Sequence, residues 1–194
     1  TIRQPGGISG FPKTEESIYD AFNTGHSSTS ISAALGIAAA KHLAGEPGRV
    51  LAVIGDGALT GGMAFEALNH AGHLKEDLIV ILNDNEMSIA PNVGAISQYL
   101  TNLRTAPKYR QKKAQVQNFV KKIPFAGKQM ANFAEKLKDS LKHLLMSSEL
   151  FEQFGFTYIG PIDGHDLAKM IKIMQRVREI KGPILIHCIT KKGK

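Results

Sequence analysis

The sequence predicts an α/β protein built as three layers around a doubly wound, mostly parallel sheet. Short apolar runs at 49–54, 78–82 and 183–190 alternate with segments of helical period, the pattern of strand-helix-strand units. A chain of 194 residues with 43% hydrophobic content can fill the core such a sheet needs.

At 14–22, Thr14 and Ser17 form an imperfect cap, with Glu15 and Glu16 suited to a helix start. The turn 23–26 leads through serines and threonines into the small-residue run 31–40. That run predicts a helix packed closely on its neighbours and ended near Gly45. Residues 49–54 read as a buried strand and Gly55-Asp56-Gly57 as the turn leaving it. Residues 60–73 have helical spacing, with Met63, Ala67, Leu68 and Ala71 on one face. A second buried strand, 78–82, ends in Asn83-Asp84-Asn85. From 96 to about 150 the pattern is helical and basic, interrupted by Pro107 and Pro124. The last quarter reads as a strand at 156–159, a turn at 161–164, a helix at 166–180 and a strand at 183–190, with Pro183 acceptable as its first residue.

The net charge of +7 is uneven: 104–142 holds eleven basic residues and two acids, a local +9. The basicity belongs to that segment, and the expected organisation is one domain, 1–194, with 97–148 as a basic helical or flexible insertion. No apolar run has the roughly 20 residues of a membrane helix and residues 1–10 lack the pattern of a signal peptide, so no membrane partner is expected. Cys188, alone in an apolar run, reads as a buried inert thiol. The start at Thr1 and the stop within Lys191-Lys192-Gly193-Lys194 suggest a piece of a longer protein.

The informative constellation is Gly55-Asp56-Gly57-Ala58 at one strand end and Asn85-Glu86-Met87 at the next. Neighbouring parallel strands end on the same edge, where such sheets bind ligands, so Asp56 and Asn85 can converge across 29 positions. Gly55 and Gly57 let an anion approach the main chain. A carboxylate facing a bare diphosphate would be repelled by about 4 kcal/mol at about 4 Å for an effective dielectric of about 20. A cation belongs between them, and magnesium suits the gap: Asp56 gives a carboxylate oxygen, Asn85 its amide oxygen, and Met87 a main-chain carbonyl.

Gly55-Asp56-Gly57 followed by Asn85 resembles the diphosphate signature of thiamine-diphosphate-dependent enzymes. Within that class, Arg3-Gln4-Pro5-Gly6-Gly7, Gly25-His26-Ser27-Ser28-Thr29, Gly57-Ala58-Leu59-Thr60-Gly61-Gly62-Met63, Asp84-Asn85-Glu86-Met87 and Gly160-Pro161-Ile162-Asp163-Gly164-His165 closely resemble the transketolase-like 1-deoxy-D-xylulose-5-phosphate synthase family. The resemblance implies the thiamine-diphosphate-binding fold, with thiamine diphosphate and Mg2+ as cofactors and Asp56, Asn85 and Met87 as metal ligands. It further implies cofactor contacts at Gly25, His26, Ser27, Gly55, Gly57, Ala58 and Asn85, with His26 the single candidate for a catalytic role. Arg3 is a candidate substrate contact, though a solvated arginine fits equally. The implied reaction joins pyruvate to D-glyceraldehyde 3-phosphate, giving 1-deoxy-D-xylulose 5-phosphate and carbon dioxide for isoprenoid and thiamine biosynthesis. A homodimer in a bacterial cytoplasm, rather than a plastid, is expected. The family activates its cofactor through a Glu on another domain, so this polypeptide alone is expected to lack turnover.

Three readings compete. Another transketolase-like thiamine-diphosphate enzyme would share the Gly55-Asp56-Gly57 and Asn85 signature but carry different residues around His26. A dinucleotide-binding domain would use Gly55 and Gly57, but the third glycine falls at Gly61 and Asp56 would face a pyrophosphate without a metal. A nucleic-acid binder would use the basic run, but Tyr109, Phe119, Phe125 and Phe133 follow no recognisable module, so no specific nucleic-acid partner is expected. Asp163-Gly164-His165-Asp166 reads as a turn and helix cap in preference to a metal site. His42, His70, His73, His143 and His187 have no usable partner spacing.

Overall fold

The computed structural model describes residues 1–88, 90–105 and 149–194. Four parallel strands, β1 (Val50–Gly55), β2 (Leu78–Asp84), β3 (Thr157–Asp163) and β4 (Ile184–Ile189), lie in the order β1-β2-β4-β3. The described helices are α1 (Ser30–Ala44), α2 (Asp56–Leu59), α3 (Gly62–Leu74), α4 (Ala95–Thr105), α5 (Glu149–Gln153) and α6 (Leu167–Val177).

Alternation along β2 explains the layering. Leu78, Val80 and Leu82 join Ala52, Ile54 and Leu185 beneath α1 and α3, whose Ile31, Leu35, Ala64 and Leu68 complete that core. Ile79 faces the other way, with Ile184 and Ile186, against Met170, Ile173, Met174 and Val177 of α6. Both sides of the sheet therefore carry helices, but the edge strand β1, expected to be buried, is covered on one face only, with Leu51 and Val53 exposed on the other. The small residues of α1 do bring it close: Ala34 and Ala38 are buried, and Gly45, at φ 65°, closes the helix with its N–H on His42 O. Glycine is needed there because the left-handed conformation penalises a Cβ. Arg49 pins the far end of the sheet to α6, donating to Val177 O at 2.8 Å and pairing with Asp77.

Some expectations change. Residues 14–22 form turns, not a helix, because side chains take up the backbone donors: Ser9 N donates to Glu16 at 2.8 Å, Lys13 N to Asp20 at 3.0 Å and Thr14 N to Asn23 at 2.7 Å. The turn after β1 is itself the one-turn helix α2. Ala64 takes the buried place expected of Met63, which lies on the rim of the α3 stripe and is half exposed. The turn expected at 161–164 is mostly strand: β3 continues to Asp163 across a register irregularity between Ile159 and Ile162. Pro161 sits within that irregularity, where a missing N–H is tolerated. Residues 95–105 are helical, with Leu100 and Leu103 in the core; the rest of the expected insertion, with His143, lies outside the described residues.

Candidate functional site

Register places the site. Gly55 is level with Asn83 across the β1–β2 ladder, so Asp56 and Asn85 leave the sheet at the same edge. Asp56 is only 3% exposed. The Asn92 side-chain amide donates to the Asp56 carboxylate at 2.6 Å, and the main-chain N–H groups of Gly57 and Asn85 lie close enough to favour its charged form. Burial raises its pKa, and the nearby Asp84 charge adds to that rise. Three donors thus aim at an acid whose negative charge is still undercompensated, a setting that favours a cation.

Asn85 is half-buried, and its Oδ1 accepts the Met87 N–H at 3.0 Å, which fixes its rotamer and leaves a lone pair of that oxygen for another partner. Met87 is exposed and forms an isolated antiparallel bridge with Pro91. Gly57 is where the two turns touch: a Cβ there would lie 2.7 Å from Ser88 Cβ and 3.0 Å from Asn92 Oδ1.

A third segment joins this rim. Ser28 Oγ donates to the carbonyl of Ala58 at 2.7 Å, so Gly25-His26-Ser27 sits beside the Gly57-Ala58 turn. That loop opens α1, whose N-cap Thr29 makes no side-chain cap and whose first turn carries no acid. Its uncapped amides form a place for an anion. His26 is exposed, with its backbone held by Thr24 and Thr29. Arg3 reaches the same loop cluster indirectly: its guanidinium lies 5.0 Å from the Phe11 ring centroid, and a Cβ on Gly25 would meet that ring at 3.3 Å.

Behind the rim lies a buried polar cluster absent from the sequence reading. Asp84 and His187 are fully buried. His187 Nε2 is 2.8 Å from Asp84 Oδ2, and Tyr158 OH is 2.8 Å from His187 Nδ1. This pattern is satisfied by a ring carrying its proton on Nε2, with the tyrosine donating to Nδ1. Arg104 Nη1 donates to Asp84 Oδ1 at 2.7 Å, while Nη2 reaches Thr101 Oγ1 at 2.8 Å and pairs with Glu86. Burial opposes the Asp84 charge, but His187 and Arg104 outweigh it and hold the carboxyl below its ordinary range. Burial pushes the Tyr158 hydroxyl well above its usual range.

The remaining candidates behave structurally. Asp166 caps α6 by accepting Lys169 N–H at 3.0 Å, and Asp163 accepts His165 N–H at 2.9 Å. Among the described residues no three His, Cys, Asp or Glu side chains are grouped to hold a metal. Cys188 is buried, and that burial raises its thiol pKa.

Fold and site together define a doubly wound α/β domain that offers a buried acid and an uncapped helix start to a ligand at the carboxyl edge of its sheet. The profile of the 1-deoxy-D-xylulose-5-phosphate synthase family matches residues 1–190, and the chain belongs to that family. It is 61% identical to the 1-deoxy-D-xylulose-5-phosphate synthase of Carboxydothermus hydrogenoformans and 60% identical to that of Natranaerobius thermophilus, in each case over all of this chain and 31% of the relative. It thus spans about a third of the length of these relatives. Among solved structures, a protein of Mycobacterium smegmatis described as thiamin diphosphate-dependent aligns with a TM-score of 0.49 and 17% identity, over 86% of this chain and 23% of its own. That likeness is too low to bear on the assignment, which rests on the sequence family.

Proposed function

We propose that this chain holds the magnesium-diphosphate end of thiamine diphosphate in the synthesis of 1-deoxy-D-xylulose 5-phosphate. The observation that carries the reading is the buried Asp56 carboxylate at the end of β1, with the main chain of Asn85 beside it at the matching end of β2, in a chain 61% identical to a named synthase. The residues fit the group. Asp56 supplies a carboxylate oxygen with a raised pKa, Asn85 Oδ1 is pre-aimed by its bond from Met87, and Gly57 keeps the rim open. Magnesium is suited to such a site, which offers few protein oxygens and leaves positions for phosphate and water.

In this reading Asp56, Asn85 and the Met87 carbonyl bind the metal. The Gly25-His26-Ser27 loop and the start of α1 would hold the diphosphate, with the exposed His26 ring as a further donor. Arg3 is the proposed substrate contact. The bound cofactor supplies the carbon nucleophile and the electron sink for decarboxylation. The overall reaction takes pyruvate, D-glyceraldehyde 3-phosphate and one proton to 1-deoxy-D-xylulose 5-phosphate and carbon dioxide. The proposal extends to a homodimeric, cytoplasmic enzyme whose catalytic Glu lies outside this chain, so that the chain alone binds but does not turn over. No described helix is long and apolar enough to cross a membrane.

The test is calorimetry of thiamine diphosphate with and without magnesium, on wild type and Asp56→Ala. Magnesium-dependent binding in the wild type that is lost in the variant is expected. Binding indifferent to magnesium, or retained by Asp56→Ala, would overturn the assignment.

A further inference from the structure

We infer that Arg104 is a positioning residue for Asn85, clamping the turn that presents its amide oxygen at the rim. This rests on the reading of Asn85 as a magnesium ligand. The guanidinium holds the two sequence neighbours of Asn85 at once: Nη1 bonds Asp84 Oδ1 at 2.7 Å and Nη2 pairs with Glu86. Between those grips the backbone is strained, since Glu86 has φ 65°, a left-handed conformation unfavourable to a residue with a long side chain. Such a conformation persists where its surroundings over-determine it.

The surroundings here do so. Asp84 Oδ1 also accepts Glu86 N–H at 3.3 Å, and Asp84 O accepts Thr190 N–H at 2.9 Å. His187 occupies Oδ2 and is itself oriented by Tyr158, so neither oxygen of Asp84 is free to swing. The neighbouring Asn83 is tied by Thr190 Oγ1 at 2.6 Å. Arg104 is held in place by its own helix, through Thr101 and the buried Leu100 and Leu103 of α4. Its side chain is 11% exposed, although the charge count groups it with the basic run. A planar fork can bridge two carboxylates, whereas the single ammonium of lysine cannot reproduce that geometry. Partners behind a metal ligand of this kind set the ligand's orientation, and their loss costs about 10- to 100-fold in metal affinity.

Arg104→Lys in the full chain tests the clamp, with Glu86→Gln as a second variant on an exposed side chain that leaves the buried pair intact. Two quantities are read: magnesium affinity by calorimetry at saturating thiamine diphosphate, and amide hydrogen exchange along 83–88. Magnesium binding about tenfold weaker in Arg104→Lys is expected, restored by raising magnesium tenfold. The Glu86 and Met87 amides should exchange faster, while β2 and β4 keep their protection; Glu86→Gln should shift both readouts in the same direction by less. Unchanged magnesium affinity in both variants, or loss that appears only with loss of strand protection, would overturn the inference. If the wild type shows no magnesium-dependent binding, the reading of the site falls, and unchanged exchange at Glu86 and Met87 would still refute the clamp on its own.

Discussion

Gly57→Ala offers a sharp test of the rim, because the cost can be worked from one contact. The added Cβ would lie 2.7 Å from Ser88 Cβ and 3.4 Å from Ser88 Cα, against about 3.5–4.0 Å for relaxed carbon contacts. The loop carrying Ser88 must therefore retreat by about 1 Å, and because the Cα is also close, its backbone must move with it. Loop movement offsets stability only partly. Overpacking costs about 1–3 kcal/mol, while replacing glycine inside the short helix α2 gains up to about 1 kcal/mol. The unliganded chain should consequently lose no more than about 3 kcal/mol, or up to about 12 °C of melting temperature. The site should lose affinity as well, since disturbing the groups that orient a metal ligand costs about 10- to 100-fold in metal affinity. Calorimetry with thiamine diphosphate and magnesium should show affinity weakened by about that factor, with circular dichroism unchanged. Wild-type affinity in Gly57→Ala would refute the claim that the two turns form one site.

Asp56→Asn should abolish magnesium-dependent binding yet raise the melting temperature of the unliganded chain at neutral pH. The folded-state pKa of Asp56 is raised by burial and by Asp84; its contribution is therefore favourable below the unfolded value and lost as pH rises through the folded one, and asparagine removes that loss. Asp84 behaves oppositely. Despite burial its pKa is lowered, with His187 and Arg104 prevailing, so stability present above the unfolded value near ~3.9 should fall away on acidification, and Asp84→Asn should flatten the acid limb of the melting curve. His187→Leu, which strips Asp84 of a buried partner at 2.8 Å, should cost about 3 kcal/mol in denaturant titration. Gly72→Ala would put a Cβ 1.5 Å from the Phe154 carbonyl oxygen and should destabilise by more than about 3 kcal/mol in the same assay by prising α3 from the α5–β3 connection.

The parallel sheet and the Asp56–Asn85 convergence are legible in the sequence because they depend on local patterns and one general rule. Apolar runs become strands, helical spacing joins them, and sequential parallel strands end on one edge. The buried cluster is not legible for the opposite reason. Tyr158, His187, Asp84 and Arg104 come from four separate elements, and nothing in their spacing announces a contact between β2, β3, β4 and α4. One signal was present: a histidine inside the apolar run Ile184–Ile189, where a buried polar group must find a partner. Arg104 is masked by its basic neighbours, so charge counting assigns it to solvent. The failure at 14–22 has a local cause, since the side chains of Glu16, Asp20 and Asn23 serve loop donors as readily as helix donors. Ser28 and Asn92, which tie the rim together, likewise act across distances that a linear reading does not reveal.

The matched register of β1 and β2, with Gly55 opposite Asn83, has a consequence for how this segment tolerates changes of length. A single residue inserted within either strand would turn every following side chain to the opposite face, carrying Asp56 or Asn85 away from its counterpart. The distal connections at the other end of the sheet, between Gly45 and Arg49 and between Lys75 and Asp77, are the places where added residues would leave that alignment untouched.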